Sequence, residues 1–156
     1  MLSIITIPNP ILRQRATAVV LREVNQPVFQ TFLDDLIVAM KQADGIGIAA
    51  PQVGRSERIF IVSTADGPLV MINPMVFWRA LTSSVDEEGC LSIPDVYGLV
   101  KRATSLYIRY YDRAGKPLRL RARGLLARVI LHELDHINGI LFIDKMIKQT
   151  AGPHEE

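Results

Sequence analysis

The sequence predicts one domain that mixes helices with antiparallel strands. Three observations carry that expectation. The chain has 156 residues, a length that suits a single sizeable core. Two segments repeat apolar residues at three- and four-residue spacing, as helices with one buried face do. Between them lie short apolar or alternating runs bounded by turn residues, as strands do.

The first element expected is a helix. Asn25 and Pro27 open it, and Phe29, Phe32, Leu33, Leu36, Ile37 and Met40 form one apolar stripe, which reads as core scaffold. Residues 44–54 follow, small and rich in glycine at Gly45, Gly47 and Gly54, so backbone there can approach a ligand or a strand closely. Residues 59–62 and 69–72 are short apolar runs and read as strands. Leu106, Ile108 and Tyr110 then alternate with Tyr107, Arg109 and Tyr111. After a turn over 112–117, Leu118, Leu120 and Ala122 alternate with Arg119, Arg121 and Arg123. This is a hairpin with one face in the core and one in water. Its arginine row reads either as an RNA docking face or, more commonly for such rows, as a solvated sheet face. A second helix is expected over 125–138, after Gly124 and before the stop at Gly139. Leu141, Phe142 and Ile143 pack the chain beyond it. Residues 148–156 are polar and contain Gly152-Pro153 and His154; they are expected to form a short flexible tail.

Composition removes several classes of function. Hydrophobic residues make up 49% of the chain, so a packed core is expected rather than disorder. The net charge of +2 is too small to imply nucleic acid as the main partner. A single cysteine, Cys90, allows no intrachain disulfide framework. The N-terminal apolar run lacks a basic flank and is broken by Pro8, which does not read as a signal peptide. No run of about 18 apolar residues exists, so no transmembrane helix is expected. A reducing cytoplasm is the expected compartment.

The second helix carries His132-Glu133-Leu134-Asp135-His136, an H-E-x-x-H pattern. At i and i+4 the two imidazoles share one helix face, where one divalent ion can take both. Glu133 sits beside them, suited to act as general base or acid toward a water that the metal activates. Leu125 and Val129 lie on the same face, so the pair is expected to look into an apolar surround. Asp135 reads either as an exposed helix charge or as a partner of Arg102.

A catalytic metal site needs three protein ligands and an open position. A zincin-like metallopeptidase would take the third from Glu155 or Glu156, which follow Gly152-Pro153 and make a poor platform. Cys90 is the better candidate, since a thiolate with two imidazoles suits Zn(II), Fe(II), Co(II) or Ni(II). A lone cysteine can equally be a small buried hydrophobe or a nucleophile, and spacing alone does not choose.

Gly45-Ile46-Gly47-Ile48-Ala49-Ala50-Pro51-Gln52, Glu88-Gly89-Cys90-Leu91-Ser92 and the H-E-x-x-H run together resemble the three signature motifs of the peptide deformylases, in the family's order. The resemblance runs from Ile7 to about Lys145. It implies an α+β fold, a single compact domain with antiparallel sheets packed around a central H-E-x-x-H helix, and a catalytic domain over residues 1–147. It implies removal of the N-formyl group from formyl-methionyl nascent peptides, with release of formate. Cys90, His132 and His136 would hold one divalent metal ion, natively Fe(II). Glu133 would be the base, while Gln52 and the Leu91 amide would hold the formyl oxygen. Gly45, Gly47 and Gly89 would let substrate backbone lie alongside as an added strand, and Leu125 and Val129 would wall the methionine side chain.

The chain departs from the family at three places. Tyr97 stands where some members carry a substrate-binding arginine, and Leu131 where glutamine is common. It ends soon after Lys145, so transient ribosome contact through a longer C-terminal helix is not expected by that route. Neither DNA nor membrane is an expected partner. A non-catalytic formyl-peptide-binding paralogue is the remaining alternative, opposed by the joint presence of Gln52, Cys90 and Glu133.

Overall fold

The apolar run from Ile59 to Val62 is buried at every position, because this strand is covered on both faces. The computed structural model describes residues 1–153. In chain order its main elements are α1 (Pro27–Gln42), β1 (Gly47–Ala49), β2 (Ile59–Thr64), β3 (Gly67–Arg79), β4 (Ser83–Cys90), β5 (Ile93–Ala103), β6 (Ser105–Tyr111), β7 (Pro117–Arg123), α2 (Gly124–Ile137) and β8 (Met146–Ala151). Five strands form one sheet in the order β1-β2-β3-β6-β7, and three form a second in the order β4-β5-β8. All these pairings are antiparallel. The architecture is therefore a small domain of two helices and antiparallel sheets.

Side chains on a strand alternate between faces, and β2 uses both. Ile59 and Ile61 join Val70 and Ile72 in a core closed by Leu33, Leu36 and Met40 of α1. Phe60 and Val62 join Met71, Leu106 and Ile108 under Ile130, Leu134 and Ile137 of α2. A third cluster of Leu12, Ile93, Val100, Leu141 and Phe142 lies at the three-stranded sheet. Helix α2 touches β1, β2, β6 and β7 of the larger sheet and β5 of the smaller one. Among the described residues no helix is long and apolar enough to cross a membrane.

Helix α1 begins with Pro27 in its first turn, where the missing N–H costs no hydrogen bond. Helix α2 ends as expected. Gly139 takes a φ of +75°, its N–H bonds to His136 O at 3.1 Å, and Ile140 N–H bonds to Asp135 O at 2.9 Å, which caps the last carbonyls. A Cβ at Gly139 would lie 2.5 Å from Arg13 O, so the N-terminal segment packs directly on this cap.

The structure corrects three expectations. Strands β4 and β5 were not expected, because β4 exposes five of its eight residues and β5 is interrupted by Pro94, Asp95 and Gly98. The run at 69–72 is the middle of a much longer strand, β3. The tail expected over 148–156 begins as strand: Leu99 pairs with Lys148, Gly98 with Gln149 and Tyr97 with Ala151. β8 is an edge strand with little buried surface, so its sequence lacks the alternation that marks a half-buried strand. Gly98 lets it approach, since a Cβ there would meet Met146 Sδ at 2.0 Å. His154, Glu155 and Glu156 lie outside the described residues.

Replacing Gly139 with alanine combines left-handed strain of about 1–2 kcal/mol with overpacking against Arg13 of about 1–3 kcal/mol. Gly139→Ala is expected to lower the unfolding free energy by roughly 2–5 kcal/mol. Val28→Ala, at a position 72% exposed, should change it by no more than about 0.5 kcal/mol. Urea denaturation of both variants checks this, and equal midpoints would refute the packing account.

Candidate metal centre

His132, Glu133 and His136 project from α2, and Cys90 ends β4. Pairing in the β4–β5 hairpin shifts register between Gly89 and Cys90, an irregularity of the kind that re-aims a side chain. The ligand atoms of Cys90, His132 and His136 then lie within 4.8 Å of one another, with Cys90 Sγ 3.2 Å from His136 Nε2. His132 Nδ1 lies 2.8 Å from Glu88 Oε1, which orients the ring and leaves Nε2 free for an ion. A thiol and two imidazoles converging this closely fit a divalent metal ion of borderline softness.

The supporting charges are buried. Glu88 accepts from Arg102 Nη2 at Oε1 and Arg102 Nε at Oε2, both at 2.9 Å. It also accepts from Arg128 Nη1 at 2.7 Å. Arg128 goes on to donate to Val100 O and Ser84 O, each at 2.9 Å. Arg102 Nη1 reaches Asp135 Oδ2 at 2.6 Å, and Lys145 Nζ reaches Asp135 Oδ1 at 3.0 Å. Asp135 is thus the partner of Arg102. Burial alone would raise the Glu88 pKa, but the hydrogen bonds from Arg102 and His132 hold it well below the usual carboxylate range.

The two imidazoles are driven apart. Burial lowers the proton affinity of both. At His132 the contacts to Cys90 and Glu88 outweigh it and push the pKa to about 10. At His136 burial and the neighbouring His132 leave it well below its ordinary value. A field that holds a proton on His132 also favours a metal cation in its place.

Glu133 is buried, its pKa raised to about 7 mainly by burial. Its Oε2 has no hydrogen-bond partner among the described residues. The carboxylate lies against β1, where a Cβ added at Gly47 would sit 2.5 Å from Oε1, so this close approach requires glycine. Gln52 is also buried. Its Oε1 accepts from Ala49 N–H at 2.9 Å, and its Nε2 lies 3.2 Å from Ser92 Oγ and 3.7 Å from Cys90 Sγ. Its carboxamide is thereby fixed with the amino end toward the metal-ligand cluster.

A cleft of about 540 Å³ opens over these groups. Gly45, Gly47, Gln52, Gly89, Cys90, Leu91, Leu125, Val129, His132 and Glu133 line it. His136 is not among its lining and is buried. The surround is less apolar than expected, because Glu88 and Arg128 also line the cleft. Leu125 stands at the rim, 66% exposed, whereas Val129 is buried. Leu131 is taken up by the core under α2. Tyr97 packs on Gly89, where a Cβ would lie 2.6 Å from its ring.

Glu88, Arg128 and Ser92 were given no role by the sequence. Arg128 stands four residues before His132, on the face already singled out, and Glu88 lies inside the cysteine motif. Those were the available signals.

Known proteins match nearly the whole chain. A family model described as Polypeptide deformylase matches residues 1–151. The chain is 44% identical over 142 residues to a peptide deformylase of Pelotomaculum thermopropionicum, covering 91% of this chain and 89% of that protein. The crystal structure of the Thermotoga maritima peptide deformylase superposes with a TM-score of 0.89 at 35% identity, covering 94% of this chain and 97% of that one. The Met-Ala-Ser bound class I type b peptide deformylase of Acinetobacter baumannii superposes with a TM-score of 0.89 at 33% identity, covering 93% and 98%. A match of this extent to both sequences and structures makes the chain a member of the peptide deformylase family.

Proposed function

We propose that this chain removes the N-formyl group from formyl-methionyl N-termini of nascent polypeptides by metal-dependent hydrolysis, releasing formate. The observation that carries this reading is a three-ligand cluster, Cys90, His132 and His136, beside the buried Glu133 carboxylate in an open cleft. Three ligands leave a metal position open for chemistry. The Met-Ala-Ser complex of the Acinetobacter relative supports a methionyl chain as the occupant.

Cys90, His132 and His136 would hold a divalent ion, which would supply Lewis acidity and so lower the pKa of water toward neutrality. We take the ion to be ferrous iron by family resemblance; the donor set also suits zinc, nickel or cobalt. A reducing cytoplasm keeps the Cys90 thiol available. Glu133 takes the proton of the attacking water and passes it to the leaving amine as the formyl C–N bond breaks. The Gln52 Nε2 and the Leu91 N–H donate to the formyl oxygen as charge develops there. Gly45, Gly47 and Gly89 let substrate backbone lie along the cleft, with Val129 as a wall and Leu125 as a rim for the methionine side chain. Helix α2 serves as the central element that both sheets pack around. The catalytic unit, expected to end at residue 147, includes β8 in this reading.

Glu133→Ala is expected to reduce formate release from formyl-Met-Ala-Ser by about 10²–10⁴-fold while metal content stays at one ion per chain. A wild-type rate in that variant would sink the assignment. Gln52→Leu removes one donor to the formyl oxygen and should cost about 10²–10³-fold in kcat, read by steady-state kinetics. Glu88→Gln loosens the orientation of His132, and competition with a chelator should show metal affinity weakened about 10–100-fold. Unchanged affinity would remove Glu88 from the metal centre.

A further inference from the structure

One face of the larger sheet is covered over only half its width. α1 packs on it across β1, β2 and the start of β3, ending near Ile72 and Tyr111. Beyond that line no described residue covers the outward side chains of β3, β6 and β7, which face away from α2.

These side chains are not an ordinary solvated mixture. β3, β6 and β7 contain no aspartate or glutamate. Arg109, Arg119, Arg121 and Arg123 are all exposed, and among the described residues none of them makes a salt bridge. Four exposed arginines with no acidic residue on the same strands leave this face positive. Register pairs Arg109 with Arg119 and Tyr107 with Arg121 across β6 and β7.

Aromatic rings are interleaved with the cations. The β3–β6 pairing shifts between Val76 and Trp78, so Phe77 is an extra residue and both it and Trp78 reach Tyr107. Phe77 stacks on Tyr107 at 5.8 Å between centroids, and Trp78 meets it edge-on at 5.4 Å. Arg119 lies over the Phe77 ring and Arg121 over the Tyr107 ring, at 5.7 and 5.5 Å. Phe77 and Trp78 remain 48% and 45% exposed. Beside them a groove of about 690 Å³ is walled by Met75, Arg109, Pro117 and Arg119.

We propose that this bare half-sheet docks an unpaired segment of RNA, with phosphates on Arg109, Arg119, Arg121 and Arg123 and bases stacked on Phe77, Trp78 and Tyr107. A row of cations tracking a backbone beside exposed ring faces is the chemistry that holds single strands without reading their sequence. Aromatics on an antiparallel sheet are a known platform for splayed bases. An acidic protein segment would engage the arginines but make no use of the exposed Phe77 and Trp78 rings. The choice of RNA over DNA rests on the deformylase reading, whose substrate is a chain still at the ribosome.

The test is fluorescence anisotropy of the full chain with a labelled unpaired RNA of about a dozen nucleotides, alongside deformylation of a free formyl-Met-Ala-Ser peptide. Four phosphate contacts predict a salt slope near −3, hence about fifty-fold weaker binding at 200 mM than at 50 mM salt. Arg119→Ala with Arg121→Ala should roughly halve that slope. Phe77→Ala with Tyr107→Ala should weaken binding about ten-fold or more with the slope kept. All variants should deformylate the free peptide at the wild-type rate, which separates this face from the cleft. The proposal is overturned if the RNA does not bind at low salt, if neither double variant weakens it, or if polyglutamate or duplex RNA competes as well as unpaired RNA.

Discussion

The carboxylate of Glu88 is the constraint on which the site depends. It accepts hydrogen bonds from two arginines and from His132, a candidate metal ligand; these belong to β5 and α2, while Glu88 itself belongs to β4. A buried carboxylate is expensive unless every lone pair is used, and here they are. Because the partners sit on separate elements, the cost of breaking the cluster also ties the small sheet to α2. Asp135, bridged to β5 by Arg102 and to Lys145 beyond α2, repeats the same device one turn along the helix. Cys90 lies two residues after Glu88. The network that orients His132 therefore also fixes where the thiol arrives.

This arrangement explains how three candidate ligands meet although they are supplied by two elements. An H-E-x-x-H helix delivers two imidazoles by its own periodicity. The third ligand must come from elsewhere in the fold. A strand that ends in a register shift at Gly89 delivers it, and the arginines of β5 and α2 hold that strand in place. The ligand geometry is thus an outcome of ion pairing as much as of helix geometry.

Much of this was legible in residues, and the rest was hidden for definite reasons. The helices were legible because Leu33, Leu36 and Met40, or Ile130, Leu134 and Ile137, repeat with the helical period. The β6–β7 hairpin was legible because one face is wet and the other dry. β4 and β8 were not, because they are edge strands with little buried surface and show no alternation. The candidate metal ligands and Glu133 stood in recognisable runs. The roles of Glu88 and Arg128 did not, because buried charge pairing joins positions 40 residues apart, and no local pattern announces it. Leu125 illustrates a further limit: it shares a helix face with Val129, but the cleft opens between them and leaves one at the rim and one inside.

Glycines shape the cleft by what they leave out. At Gly47 the missing Cβ lets the Glu133 carboxylate lie against β1, and at Gly89 it admits the Tyr97 ring. A methyl group at 47 would push Glu133 off β1, the wall that confines it beside the metal-ligand cluster. A methyl at 89 would displace Tyr97 from the strand that carries Cys90. The two positions both line the cleft, one on each sheet. Close backbone approach therefore helps to shape it, alongside its apolar side chains. Tyr97, packed over Gly89, gives this cleft an aromatic wall. Beside that wall β4 is an edge strand, whose unpaired backbone groups are of the kind that can take an added strand.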